Sequence, residues 1–345
     1  MKIIEQSVPG YERVVWCRED SIGYRGIIAI HDTRLGPAVG GTRFWHYNSD
    51  DEALTDVLRL ARGMTYKNAL AELPFGGGKA IIIGNNRLLD REKIFRTHGR
   101  FINSLGGKFI TGEDVGTSTG DMEFVHQETQ FVGGLQGRSG DPSPRTARGV
   151  FRAMQAAAKY RWGSDDLSSK TVSLQGCGHV GYFLAVELHG AGAKLVITDI
   201  DPQQAQRVAT TIPQAAVVSP EKIFGLEADI FAPCALGGIL NGNTIPQLRA
   251  EMIVGAANNQ LLEPHDGTLV HQRGILYAPD YAVNSGGVIS GCCIEMLGWD
   301  LPRTLAKIDC IYGTLLRIFE FSERNQIPTS ESADLLAKHV LSGSR

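Results

Sequence analysis

Between residues 51 and 73 apolar side chains return at helical spacing (Leu54, Val57, Leu58, Leu60, Ala61), which predicts an amphipathic helix. Shorter apolar runs flank it. Residues 26–31 (GIIAIH) and 79–83 (KAIII) read as buried strands, the second launched from the glycine run at 76–78. Residues 92–105 predict another helix, ended by Gly106-Gly107. The pattern then breaks at 133–145, a polar stretch rich in glycine and proline that marks a domain boundary. Beyond it, 146–161 predicts a helix. Five short apolar runs follow at 171–175, 194–198, 229–232, 252–255 and 275–277, and their alternation with helical or turn segments predicts a doubly wound parallel sheet. The expected class is α/β, with one domain over 1–140 and a second over 141–327. A last helix, about 330–341 within 328–345, is expected to fold back onto the first domain.

Composition narrows the class of partner. The 345 residues are 43% hydrophobic and 21% charged with a net charge near −3, so neither nucleic acid nor an anionic membrane is an expected partner. Glycine, at 41 residues, is well above the usual share and points to tight turns and close backbone approaches. The six cysteines (17, 177, 234, 292, 293, 310) show no CxxC pairing and no matching histidines, so free thiols are expected and no metal. Residues 1–6 have no apolar signal core and no run is long enough to span a bilayer; the expected address is the cytoplasm.

The first chemical signal sits at the start of the second domain. The strand 171–175 runs directly into Gly176-Cys177-Gly178-His179-Val180-Gly181 and then, from Tyr182 on, a helix to about residue 188. This is GxGxxG between a strand and a helix. Gly176 permits the tight turn, Gly178 lets backbone approach a pyrophosphate, and Gly181 lets helix and strand pack closely. The phosphates would meet the unpaired N–H groups at the helix start. Asp199, at the end of the next strand, can accept both ribose hydroxyls and would repel a 2′-phosphate, so NAD is expected over NADP. The bland alternative is an ordinary α/β turn with Asp199 as a solvated cap.

Two lysines flank the glycine run of the first domain: Lys67 ends the long helix and Lys79 opens the strand. Gly76-Gly-Gly-Lys79 is not a nucleotide phosphate loop, because Ala80 stands where Ser or Thr is needed and a strand follows instead of a helix. Lysines in such a place can hold a carboxylate or act as a base, since burial and a neighbouring cation tune them. Each can equally be a surface charge. The segment Thr111-Gly-Glu-Asp114-Val-Gly-Thr117 has two readings as well, a helix cap or a proton-accepting carboxylate.

Several longer blocks carry a family likeness. At Gly36-Pro-Ala-Val-Gly-Gly-Thr-Arg43, Arg62-Gly-Met-Thr-Tyr-Lys67-Asn68, Gly76-Gly-Gly-Lys79 and 111–117 the chain resembles the glutamate/leucine/phenylalanine/valine dehydrogenase family. The likeness continues through Ala232-Pro-Cys-Ala-Leu-Gly-Gly238, Gly255-Ala-Ala-Asn-Asn-Gln260 and Tyr277-Ala-Pro-Asp-Tyr281, and so covers nearly the whole chain. It implies an amino-terminal substrate-binding and oligomerisation domain, a Rossmann NAD-binding domain, a cleft between them, and a homo-oligomer. It also implies roles. Lys67 would bind the substrate carboxylate, Lys79 would activate water, and Asp114 would shuttle protons. Gly40, Gly41 and Met64 would line the pocket, with Val288 also among the substrate-binding residues. Asn258 and Asn259 would lie near nicotinamide and substrate. The implied reaction is reversible oxidative deamination of an L-amino acid to a 2-oxo acid and ammonia.

Which amino acid is read from departures. Glutamate enzymes of the family carry a lysine where this chain has Val39, and an unpartnered buried carboxylate costs several kcal/mol, so an apolar substrate is expected. Leucine enzymes tend to have Ala at the place of Gly112 and Val at that of Gly291. Both glycines enlarge the pocket, and Ser290-Gly-Cys-Cys-Ile-Glu295 departs from the leucine pattern too. The leucine, valine and isoleucine class is the first expectation, phenylalanine or tryptophan the second. Two further alternatives are a Rossmann oxidoreductase acting on another substrate and an NAD-binding regulator without turnover.

Overall fold

The structure, a computed structural model, describes residues 1–87 and 91–343. The chain divides into two compact units, one formed by Met1–Gly140, Gly291–Trp299 and Val340–Arg345, the other by Asp141–Ser290 and Asp300–His339.

The first unit contains β1 (Lys2–Gln6), β2 (Arg13–Glu19), β3 (Tyr24–Asp32), β4 (Ala38–Val39), β5 (Thr42–Trp45), α1 (Asp50–Leu70), β6 (Gly76–Ile83), α2 (Glu92–Asn103), β7 (Phe109–Ile110) and α3 (Thr119–His126). The strands form one mixed sheet in the order β1-β2-β3-β6-β4-β7, with β5 also on β6. Alternation sorts its side chains into two cores. Ile27, Ala29, Ile81 and Ile83 pack with Val57 and Ala61 of α1. Ile28, Ile30, Ala80 and Ile82 pack with Phe95 and Ile102 of α2 and Val125 of α3. By the same parity Lys79 leaves the sheet on the α1 face. So does Arg43, whose register partner is Ile81.

The glycine run differs from its sequence reading. It does not precede β6 but forms the strand's first three residues. A Cβ on Gly77 would stand 2.0 Å from the backbone N of Thr65 in α1, so helix and strand meet backbone to backbone there. The buried Asn68 side chain reinforces the contact by donating to the Gly76 carbonyl at 2.6 Å. Ser49 caps α1, accepting from the Glu52 N–H.

The second unit contains α4 (Ser143–Trp162), β8 (Thr171–Gln175), α5 (His179–Gly190), β9 (Lys194–Thr198), α6 (Pro202–Thr211), β10 (Ala216–Val217), β11 (Ile230–Pro233), β12 (Met252–Ile253), α7 (Pro264–Gln272), β13 (Leu276–Tyr277), α8 (Asp280–Val283), α9 (Gly286–Gly291), α10 (Leu301–Asp309), α11 (Ile311–Asn325) and α12 (Thr329–Leu341). A π-helical turn, Cys292–Met296, follows α9. The sheet order is β10-β9-β8-β11-β12-β13, and every pairing is parallel. The order reverses between β8 and β11, the switch point at which doubly wound sheets bind ligands beyond the carboxyl ends of their strands.

The final helix, α12, is tied into the second unit as far as His339. Ser332 Oγ donates to the Ile318 carbonyl of α11 at 2.8 Å, and Tyr281 of α8 donates to Asp334 at 2.6 Å. Buried Ala333 and Ala337 share its inner face with Ser332. Only the stretch from Val340 groups with the first unit. Residues 344 and 345 of the expected span lie outside the described residues.

Candidate active site

Strand β6 carries Lys79 as the first side chain after three glycines. The neighbouring chain passes it as two short strands, β4 pairing with Gly76-Gly77 and β5 with 80–83. The gap between them is Gly40-Gly41, opposite Gly78 and Lys79. A Cβ on Gly41 would stand 2.3 Å from the Glu113 carbonyl oxygen and 3.0 Å from Asp114 Cβ. These two glycines admit a close approach of backbone.

That close approach brings Asp114 to Lys79. The lysine is almost fully buried and its Nζ stands 3.0 Å from Asp114 Oδ1. The other carboxylate oxygen, Oδ2, accepts from Arg43 Nε at 3.1 Å. Arg43 also donates through Nη1 to Asp56 Oδ2 at 3.0 Å, and Tyr47 donates to that same oxygen at 2.6 Å. Burial pushes the Asp114 carboxyl upward, but the Lys79 ammonium and Arg43 guanidinium outweigh it and hold the group below its ordinary value. The turn is locked by Thr117, whose Oγ1 accepts from the Asp114 N–H at 2.9 Å. The helix-cap reading of the segment falls to a neighbour, since Ser118 caps α3 in a capping box with Asp121.

Lys67 and Met64 are both partly buried and lie in the last two turns of α1, the helix packed on β6. Val39 is buried in β4. Gly112 faces room: a Cβ there would meet nothing nearer than the Gly133 carbonyl oxygen, 3.7 Å away. Gly291 has no neighbour within 4 Å of such a Cβ. From the π-helical turn Glu295 accepts from the Gly134 N–H at 2.9 Å and from Ser139 Oγ, tethering the glycine-rich connector. Val288 is part of α9 in the second unit.

In the second unit the β8–α5 turn has each glycine in a distinct role. Gly176 has φ +99°, and a Cβ would strike Ala235 N at 2.8 Å. Gly181 comes so close to the Gly176 carbonyl that a Cβ would lie 2.0 Å from its oxygen. Over Gly178, by contrast, a Cβ would meet no protein atom within 4 Å. Gly178 is the N-cap of α5 and brings no side-chain acceptor to it. Open space above an uncapped helix start fits a pyrophosphate. His179 and Val180 are the first residues of that helix.

Asp199 closes the turn. Its Oδ2 accepts from the Cys177 N–H at 2.7 Å and its Oδ1 from the Asp201 N–H at 2.9 Å. A carboxylate has about four lone-pair sites, so capacity remains for ribose hydroxyls. The Cys177 side chain is buried, and burial followed by the nearby Asp199 charge pushes its thiol up to about 12. Tyr182, which the motif also offers to the cofactor, lies one residue beyond its last glycine. Its N–H bonds to the Gly178 carbonyl within α5, and its ring lies 4.0 Å beneath the Arg207 guanidinium of α6. Asn259 adopts φ +52° and, with Asn258, follows β12. The Asn258 side chain accepts from Asn284 at 2.7 Å, while the Asn259 N–H donates to Asp280.

Among the described residues no cluster of three or more His, Cys, Asp or Glu could hold a metal ion, and no helix is long and apolar enough to cross a membrane. All six cysteines are free. Sequence reasoning missed Arg43. The residue lies in a quoted motif, but its partners are 13 and 71 positions away and no local signal pairs them.

A parallel sheet with a dinucleotide turn and a buried Lys–Asp pair on a separate unit define a nicotinamide-dependent oxidoreductase. The comparisons specify the family. Residues 12–131 match the profile of the Glu/Leu/Phe/Val dehydrogenase dimerisation domain, and 197–298 match that of Glutamate/Leucine/Phenylalanine/Valine dehydrogenase. The chain is 52% identical over 331 residues to leucine dehydrogenase of Geobacillus stearothermophilus, covering 95% of this chain and 90% of that one. It is 45% identical over 339 residues to L-tryptophan dehydrogenase of Nostoc punctiforme, covering 97% and 95%. The crystal structure of the Nostoc punctiforme enzyme superposes with a TM-score of 0.86 over 97% of this chain and 96% of that one, at 44% identity. This chain belongs to the Glu/Leu/Phe/Val dehydrogenase family, and it is an amino-acid dehydrogenase.

Proposed function

We propose that the protein catalyses reversible, NAD-dependent oxidative deamination of an apolar L-amino acid of the leucine, valine and isoleucine class to its 2-oxo acid and ammonia. The observation that carries the reaction is the buried Lys79–Asp114 pair, 3.0 Å apart. Buried Val39, where glutamate enzymes of the family carry a lysine, favours an apolar substrate. The 52% identity with a leucine dehydrogenase favours the aliphatic class. Open space at Gly112 and Gly291 favours the second reading, an aromatic amino acid such as phenylalanine or tryptophan.

A bound nicotinamide would supply the hydride acceptor for the substrate Cα. The chain does the rest. Lys67 holds the substrate carboxylate. Lys79 takes a proton from water as the water adds to the iminium carbon, and Asp114, in contact with the same ammonium, relays protons to the departing amine. One water is consumed; the 2-oxo acid, ammonium, the reduced cofactor and one proton are released. Gly178 and the start of α5 support the pyrophosphate, and Asp199 favours the unphosphorylated ribose of NAD. We place the protein in the cytoplasm as a homo-oligomer, a reading supported by the dimerisation-domain match over 12–131. The substrate is free amino acid, with no nucleic acid or membrane partner.

The test is initial-rate NAD reduction with leucine, valine, phenylalanine, tryptophan and glutamate at one alkaline pH. Fastest turnover with the branched aliphatic substrates is expected. Fastest turnover with an aromatic substrate selects the second reading, and NAD binding without turnover of any of them means a regulator.

A further inference from the structure

The Asp114 carboxylate has two cationic neighbours. Lys79 of β6 holds Oδ1, and Arg43 of β5 holds Oδ2. Arg43 is itself held, since its Nη1 donates to Asp56 of α1, which also accepts from Tyr47. The result is a row, Lys79–Asp114–Arg43–Asp56–Tyr47, in which charge alternates over the first four members. Arg43 and Asp114 side chains are each only 23% exposed, so solvent screens this row weakly.

We propose that Arg43 is a positioning residue for proton transfer, acting through Asp114: its fork, braced by Asp56, fixes the carboxylate with one oxygen on Lys79 and remains as that carboxylate's counter-ion when Lys79 gives up a proton. The inference rests on the reading of Lys79 and Asp114 as the proton-handling pair. The planar guanidinium presents its N–H groups in a rigid arrangement, so one arginine bridging two carboxylates determines the orientation of both. It also matters for charge. Were Lys79 the sole partner of Asp114, deprotonating it would leave a largely buried carboxylate without a counter-ion. With Arg43 in place the carboxylate keeps a partner throughout the cycle. The other groups around Asp114 do not replace it. Thr117 is neutral, and Glu113 is turned to Thr119.

The experiment compares wild type with Arg43→Met, Arg43→Lys and Asp56→Asn. It measures kcat and KM for the best substrate, the pH profile of kcat/KM, and the carbon-13 titration of the Asp114 carboxyl, assigned with Asp114→Asn. Arg43→Met is expected to lower kcat about 10²-fold with KM changed only a few-fold. Its acid limb and its Asp114 titration are expected to move up by about one pH unit, because a stabilising cation is gone. Arg43→Lys restores the limb but only part of kcat, since an ammonium supplies charge without the fork. Asp56→Asn shifts kcat in the same direction by less. A fall in thermal stability with unmoved limb and titration would reduce Arg43 to a structural residue and overturn the proposal. If Arg43→Met fails to fold, unchanged kcat in both other variants overturns it. If wild type turns over no amino acid, the functional reading fails by itself. The carbon-13 titration then decides whether Arg43 governs Asp114: an unmoved Asp114 overturns the inference, a raised one supports it.

Discussion

Gly40 lies against Gly78 so closely that a Cβ on the first would stand 1.8 Å from the carbonyl oxygen of the second. That carbonyl belongs to the residue before Lys79, and no rotamer change relieves a clash between backbone and a Cβ. Gly40→Ala is therefore expected to displace β6 at Lys79. Overpacking of this kind costs about 1–3 kcal/mol, and activity should fall further than stability does. Paired urea denaturation and steady-state assays check it; full activity in a destabilised protein would contradict the placement.

Lys79→Ala should abolish turnover, with a loss of about 10²–10⁴-fold or more in kcat, and leave NAD affinity within a few-fold of wild type, because the dinucleotide turn is built in the other unit. Nucleotide titration by fluorescence and initial rates separate the two effects. Substantial residual turnover would refute the assigned mechanism.

Asp199→Ala should weaken NAD binding and narrow the preference over NADP. The carboxylate also accepts the Cys177 and Asp201 N–H groups, so its removal loosens the turn itself. About 1–3 kcal/mol is expected, read as Kd for both nucleotides. An unchanged NAD to NADP ratio would remove Asp199 from ribose selection.

Much of this was legible in the chain, and the reasons differ by element. The helix α1 announces itself through Val57 and Ala61, and β8 with its glycines through residues adjacent in sequence. The exposed edge strand β1 carries no alternation, as all five of its residues face solvent. The two-residue strands β4 and β7 are too short to have a period. Arg43 was visible as a cation, but its meeting with Asp114 depends on how β5 lies along β6, which no local pattern encodes. For α12, an amphipathic stripe shows that something is buried against it and does not say which unit supplies the partner.

Gly112→Ala is expected to fold normally, since the new methyl meets its nearest neighbour at ordinary contact distance, 3.7 Å. It should shift preference toward smaller aliphatic substrates, because one methylene in such a pocket discriminates by about 1–3 kcal/mol. The ratio of kcat/KM for leucine over phenylalanine is the measurement. A ratio that does not rise would place Gly112 away from the substrate side chain.

His98 supplies a pH dependence of stability. Fully buried between the Tyr24 hydroxyl (Nδ1, 2.7 Å) and Thr42 Oγ1 (Nε2, 2.8 Å), it is pushed down by burial from 6.5 to about 3. Between those values the unfolded chain binds the proton that the folded chain refuses. Stability associated with this neutral imidazole is full above about 6.5 and is lost progressively as pH falls toward 3. In urea denaturation from pH 7.5 to 4, the gap between wild type and His98→Gln should narrow toward acid. A gap independent of pH would mean that His98 is not held neutral.

The first unit takes back residues 291–299 long after the chain has left it at residue 140. During synthesis the ribosome therefore completes the whole parallel sheet of the second unit before it delivers Glu295, the acceptor for the Gly134 N–H and the Ser139 hydroxyl. A nascent chain stopped at residue 140 holds Lys79, Asp114 and Arg43 but lacks the carboxylate that accepts from Gly134 and Ser139. The lysine site and the connector thus mature on different clocks, because Glu295 is delivered only after the second unit's sheet has been made.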